Sequence, residues 1–118
     1  MRIKIVRIAD RGVPDKERLH LSVTADTTLS GYVVLKSFAQ GDGVMSGSLP
    51  AFWFPTVAAK AGDQVVLYSN TGPYTSEKTG DGKTTVHFFH WGGTVPLWAK
   101  PSDCAVVLEA SNWDTAQQ

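Results

Sequence analysis

Apolar and polar residues alternate along much of this chain with a spacing of two, and almost nowhere with the 3.6 spacing of a helix. The clearest stretch is "ERLHLSVT" (17–24), where Leu19, Leu21 and Val23 fall on one side and Arg18, His20, Ser22 and Thr24 on the other. That is the pattern of a strand with one buried and one solvated face. The same reading predicts strands over "RIKIVRIA" (2–9), "YVVLKSF" (32–38), "AFWF" (51–54), "QVVLYS" (64–69), "TTVHFFHW" (84–91) and "DCAVVLEA" (103–110).

The segments between them are turn-formers. "TADTTLSG" (24–31), "AQGDGVMSGS" (39–48), "AKAGDQ" (59–64) and "NTGPYTSEKTGDGK" (70–83) are rich in Gly, Asn, Asp, Ser and Thr. Asp42, Asp63, Asp81 and Asp103 sit where a carboxylate caps a turn. No repeat or low-complexity segment interrupts the pattern, so the fold class is all-β, one sandwich spanning 1–118.

The stretch "HFFHWGGTVPLW" (87–98) concentrates aromatic and imidazole groups. In a strand, His87, Phe89 and Trp91 share one face, and Val86, Phe88 and His90 share the other. His87 and His90 therefore point apart and do not share a metal, and a zinc site needs further ligands while the sole cysteine lies in a different strand. Their polar tips are expected to reach backbone or water at the margin of an aromatic core. Aromatics on both faces mark a central strand covered by a loop, expected for Phe88, or an exposed contact patch. Phe89, Trp91 and Trp98, together with Trp53, are the candidate partner contacts. Gly92-Gly93 suits a bend at a sandwich corner.

The chain has 118 residues, 42% of them hydrophobic and 19% charged, enough for one core without disulfide or metal staples. Cys104 is the only cysteine, which favours a reducing compartment. No apolar run reaches membrane-spanning length, and "MRIKIVRIAD" has no uninterrupted apolar core of a secretory signal. The expected location is the cytoplasm or an assembled particle. Eleven basic residues balance eleven acidic ones, which removes any global attraction to nucleic acid or anionic lipid. The first 18 residues nevertheless carry +3, with Arg2, Lys4 and Arg7 as a candidate basic patch or a charged strand edge that resists aggregation.

Catalytic patterns are missing. "GDGKTT" (80–85) ends like a phosphate-binding loop, but Glu77 occupies the position of its first glycine and the segment opens a strand, so it reads as a hairpin turn. No nucleophile motif is present, and Cys104 has no histidine at a supporting spacing. The chain is read as a non-enzyme without cofactor or metal.

Taken in order, three blocks resemble the lamin tail domain family. "RLHLSVTADTTLSGYVVLKS" resembles its opening strand, polar turn and Leu-Ser-Gly-aromatic step. "FWFPTVAAKAGDQVVLYSNTG" resembles the aromatic-Phe-Pro strand end, the Gly turn and the strand that follows. "FFHWGGTVPLWAKPSDCAVVLEA" resembles its aromatic-Trp-Gly step, Trp, polar turn and final strand. The blocks run through about residues 17–110; the family's Asn-rich turn is replaced here by Ala99, Lys100, Pro101 and Ser102. The resemblance implies a single immunoglobulin-like β-sandwich of about seven to nine strands with no catalytic residues to inherit. It implies a protein-interaction or assembly module: a small subunit or accessory of a larger complex, cellular scaffold or virion accessory, acting through a protein partner or self-assembly and not on a membrane. Two alternatives stand beside it. One is nucleic-acid binding through Arg2, Lys4 and Arg7, and the other is a carbohydrate-binding module with sugars stacked on exposed Trp.

Overall fold

A computed structural model describes residues 1–41, 43–44 and 50–117. Every segment expected to be a strand is one: β1 (Ile3–Ala9), β2 (Arg18–Val23), β4 (Tyr32–Gln40), β6 (Ala51–Trp53), β8 (Gln64–Tyr68), β10 (Thr85–His90) and β11 (Asp103–Glu109). Four more appear among the described residues, the short β3 (Thr27–Thr28), β5 (Gly43–Val44) and β7 (Ala58–Ala59), and β9 (Thr75–Lys78). β9 lies inside the segment expected to be a turn-rich connector: its sequence "TSEK" is polar at every position and all four residues are exposed, so it carries no alternation to detect. Asp42 and most of the 39–48 connector lie outside the described residues. Among the described residues, no helix is long and apolar enough to cross a membrane.

The strands form an all-β sandwich. One sheet has the order β1-β2-β8-β10-β9, with β8 and β10 parallel at its centre. The second places β4 between β11 on one side and β6 and β5 on the other. A two-stranded ribbon of β3 and β7 closes one end. Parity decides which side chains meet between the layers. Leu19, Leu21, Val23, Val65, Leu67 and Phe89 from the larger sheet are buried against Tyr32, Val34 and Phe54 from the smaller one. Phe89 packs edge-on against Phe54 at 5.1 Å and Phe52 at 6.3 Å, which joins the sheets through aromatic contacts.

Two of the turns that start strands are built alike. The Asp63 carboxylate accepts the Lys60 amide at 3.0 Å while the Asp63 amide donates to the Lys60 carbonyl at 2.9 Å. Asp103 and Lys100 repeat this, both at 2.9 Å. Each carboxylate is buried and closes the turn from which β8 or β11 leaves. The "GDGK" segment is a hairpin turn: the Asp81 carboxylate accepts from the Thr79 hydroxyl and the Lys83 amide, and Gly82 takes φ +70°.

Among the described residues the most buried acid is Glu17, 1% exposed. Its carboxylate accepts the amides of Gly12 at 2.8 Å, Leu97 at 2.6 Å and Trp98 at 3.1 Å, and its own carbonyl accepts the Ser69 amide at 3.2 Å. A buried carboxylate is tolerable only when its lone pairs are satisfied, and these amides would in turn be orphaned without it. Glu17→Ala is therefore expected to destabilise the fold by about 3 kcal/mol or more, and Glu17→Gln by less because one amide oxygen remains as acceptor. Urea unfolding of the two variants checks this; an Ala variant as stable as the parent would refute the role.

Candidate interaction surface

In β4, Tyr32 and Val34 turn inward, so Val33 and Leu35 must turn outward. In β6, Phe52 packs on the core, so Ala51 and Trp53 face out. In β11, Ala105 and Val107 pack on the core, so Cys104, Val106 and Leu108 face out. Strand register aligns these residues into rows. Trp53, Val33 and Leu108 form one; Ala51, Leu35 and Val106 form the next; beyond them Ser37, opposite Cys104, is buried and ends the open surface. None of these outward side chains carries a charge. The ionic groups of the same strands turn the other way: Lys36 contacts Asp103 at 3.5 Å, and Glu109 accepts a hydrogen bond from the Tyr32 hydroxyl at 2.9 Å.

Trp53 is 48% exposed, Leu108 47% and Trp113 65%. The Trp53 indole is held by donating Nε1 to the Ser30 carbonyl at 2.7 Å, and Trp113 from the C-terminal segment meets it edge to face at 5.0 Å. This surface is an apolar sheet face with its largest side chains already ordered.

The outer face of the larger sheet differs. It presents Arg18, His20 and Ser22 from β2, Gln64 and Tyr68 from β8, and Glu77 from β9, interleaved with half-buried Val86 and Phe88, and Val6 is exposed on its edge strand. Arg2, Lys4 and Arg7, the candidate basic patch, lie exposed on or beside β1, which is an edge strand with a bulge between Ile5 and Arg7. Arg2 is engaged with the Asp26 carbonyl at 3.0 Å, and Arg18 is paired with Asp10. Charge and a bulge together are how a sheet edge avoids pairing with another chain.

The candidate partner contacts divide. Trp53 is on the surface, while Trp91 is half-buried between Phe52 at 5.8 Å and Trp98 at 5.9 Å. Phe89 and Trp98 are core residues, 2% and 0% exposed, and meet no partner in this fold. Phe89 is inward because β10 directs His87 and Phe89 toward the smaller sheet, and the outward aromatic is Phe88. Trp98 is drawn in by Glu17, which binds its amide, and by its own Nε1, which donates to the Cys104 carbonyl at 3.1 Å. Trp113, one of the tryptophans on which the carbohydrate reading turns, is exposed, whereas Val33, Leu35, Val106 and Leu108 are not among the candidates read from the sequence. Their signal is the loss of alternation in "YVVL" and "CAVVL", which places apolar residues on both faces of strands that have only one core to line.

The two histidines of β10 do point apart, but their partners are side chains. His87 Nε2 meets Asp63 Oδ2 at 3.0 Å and Nδ1 meets the Tyr74 hydroxyl at 2.9 Å. A carboxylate on Nε2 keeps the proton there, and Nδ1 then accepts from the phenol. This carboxylate–imidazole–phenol chain has the components of acid–base chemistry, but the imidazole has no nitrogen left for a substrate. Burial opposes ionisation of Asp63, yet the amides of Lys60 and Thr85 and the His87 imidazole outweigh it and hold its carboxyl below the ordinary range. His90 donates Nδ1 to Asn70 at 2.7 Å, stacks on Tyr68, and has its pKa lowered by burial. Among the described residues, no group of three or more His, Cys, Asp or Glu is placed to hold a metal ion.

Compared with protein-family models and with curated proteins, the chain matches none.

His20 sits on the outer face of the larger sheet with a buried Nε2 that has no hydrogen-bond partner among the described residues. Burial first, then the guanidinium groups of Arg7 and Arg18, lower its pKa. The unfolded chain thus takes up protons near pH 6.5 that folded His20 and His90 resist, so these groups contribute stability that is present above about pH 6.5 and is lost as the pH falls below it. Urea midpoints are expected to fall between pH 7 and 5, with a shallower slope in a His20→Gln/His90→Gln variant. An unchanged slope in that variant would rule the assignment out.

Proposed function

We propose that the chain is a non-enzymatic assembly module, an immunoglobulin-like sandwich of the lamin-tail type, which docks a protein partner through the outer face of its smaller sheet. It acts as a small subunit or accessory of a larger complex, either a cellular scaffold or a virion accessory. The observation that carries this reading is the charge-free pair of rows built from Trp53, Val33, Leu108, Ala51, Leu35 and Val106. Contact surfaces of this composition, with an ordered Trp at the rim of an aliphatic patch, favour association because desolvating them strands no charge. The block-by-block resemblance to lamin tail domains, which work as binding modules, agrees with it.

The alternatives draw less support. For nucleic acid, the exposed tryptophans Trp53 and Trp113 are grouped on the smaller sheet and exposed Tyr74 packs on β10, whereas Lys4 and Arg7 are on or beside the β1 edge of the larger sheet. For carbohydrate, a sugar stacks on an open ring face, and Trp53 and Trp113 meet edge to face and cover part of each other.

The native protein is expected to enhance the fluorescence of a hydrophobic dye such as anilinonaphthalene sulfonate, and Trp53→Lys and Leu108→Lys to remove most of that signal. The same two variants should weaken affinity capture of the partner by about tenfold or more, while Lys4→Glu on the other sheet leaves it unchanged. Capture that survives both face variants would exclude this surface.

A further inference from the structure

The sandwich has strand edges as well as faces, and they are unequally defended. β1 carries Lys4, Arg7 and a bulge. β9 is polar and exposed at every position. On the smaller sheet, β5 and β6 have only two and three residues. β11 has seven, and between Asp103 and Glu109 its sequence is "CAVVL" without a charge. A long apolar edge with no charge, proline or bulge is an invitation to pair.

Backbone parity shows which of its groups are open. The Ala110 amide donates to the Gly31 carbonyl at 2.8 Å, and the Ser102 carbonyl accepts the Ala39 amide at 2.9 Å. In an antiparallel ladder, alternate residues point to the same neighbour, so the even-numbered residues of β11 bond to β4 and the odd-numbered ones point away. Asp103 is already used: its amide donates to the Lys100 carbonyl at 2.9 Å, and its carbonyl accepts from Arg11 at 3.1 Å. Ala105, Val107 and Glu109 remain, and their outward amides and carbonyls have no partner among the described residues.

We propose that β11 pairs antiparallel with β11 of a second copy of this chain, about a two-fold axis at Val107. This rests on the assembly reading and names one partner for it. Register selects the axis. A two-fold at Val106 would set Asp103 opposite Glu109 of the second copy, two acids face to face, and would need the backbone that Arg11 occupies. A two-fold at Ala105 also needs Asp103 and leaves Glu109 unpaired. At Val107, Val107 faces its own copy and Ala105 faces Glu109, so every open amide and carbonyl finds a partner. On the outer face, Val106 then lies beside Leu108 of the second copy, and the apolar rows of the two molecules join across the seam. The contact is isologous and closes at two copies.

The same register sets Cys104 opposite residue 110 of the second copy as a non-hydrogen-bonded pair, whose Cα atoms lie about 4.5 Å apart, within disulfide range. Within one chain the two positions are at opposite ends of an extended strand and cannot meet. Ala110→Cys is therefore expected to form a disulfide-linked dimer under mild oxidation, seen at twice the mass on a non-reducing gel. The parent and Cys104→Ser/Ala110→Cys should not form it. The parent should sediment as a dimer at tens of micromolar. If Ala110→Cys misfolds, Cys104→Ala/Val106→Cys/Leu108→Cys probes the adjacent pair of the same register. A parent that stays monomeric, or correctly folded cysteine variants that fail to cross-link, would overturn the pairing. Trp53→Lys separates this from the face reading, because Trp53 belongs to β6, on the opposite side of β4. A cross-link that persists in Trp53→Lys supports the edge contact. Partner capture lost in Trp53→Lys, from a parent that never dimerises, overturns the edge contact alone.

Discussion

The structure depends on one buried carboxylate. Glu17 is enclosed between the loop before β2, the end of β8 and the segment before β11, and it holds them together by accepting backbone amides from Gly12, Leu97 and Trp98. Its two oxygens do what a ladder does elsewhere, satisfying amides in segments too irregular to pair as strands. The consequence runs on through Trp98. Fixed at its amide, the indole seals the end of the core, meets Trp91 edge-on, and donates to the Cys104 carbonyl. Arg11, from the loop closed by Glu17, binds the carbonyls of Trp98, Lys100 and Asp103. The first turn into β11 is thereby pinned from two sides, and β11 forms the flank of the apolar face.

Much of this architecture is written in alternation. The seven longer apolar strands are legible from apolar residues bounded by turn-formers, and most sharply where they alternate, because a one-residue slip would exchange core and solvent faces; the two alanines of β7 are too short a signal. "RLHLSV" is the plainest case, with Leu19, Leu21 and Val23 all buried. β9 was missed for the converse reason: it is held by backbone pairing to β10 and has no apolar residue to reveal it. The turn carboxylates Asp63 and Asp103 were recognisable from position and type. Glu17 was not, since nothing local shows that its partners lie some eighty residues away.

The candidate surface was only half legible. Trp53 stood out because tryptophan does, but composition drew attention to the aromatic-rich 87–98 stretch, whose Phe89 and Trp98 proved to be core. Aromatic density marks where volume is needed, and a two-layer core needs it in the middle. The better sign was the pair of unbroken runs "VVL" in β4 and "AVVL" in β11. Neither run alone distinguishes a strand buried on both faces from one with an apolar solvent face. Only the pairing of β4 with both β6 and β11 shows that the odd side of one run and the even side of the other form a single surface.

The two outer faces treat apolar side chains differently, and the contrast bears on function. Val66 also points away from the core, yet it is only 3% exposed, because register sets it between His20 and Phe88, which close over it. That cover has a cost. His20 leaves Nε2 without a partner and stands between two guanidinium groups, with its protonation suppressed. The larger sheet thus hides Val66 at the expense of a buried polar atom, while Val6 on its edge strand stays 55% exposed. On the smaller sheet Trp53 and Leu108 have no such cover, although a single Lys or Glu in either row would have shielded them as Arg and His do on the other side. The middle of the larger sheet's outer face covers its valine at the cost of an unsatisfied imidazole, whereas the rows of the smaller sheet leave a tryptophan and a leucine bare. Water against those two bare side chains carries a free-energy cost that contact with another apolar surface would remove.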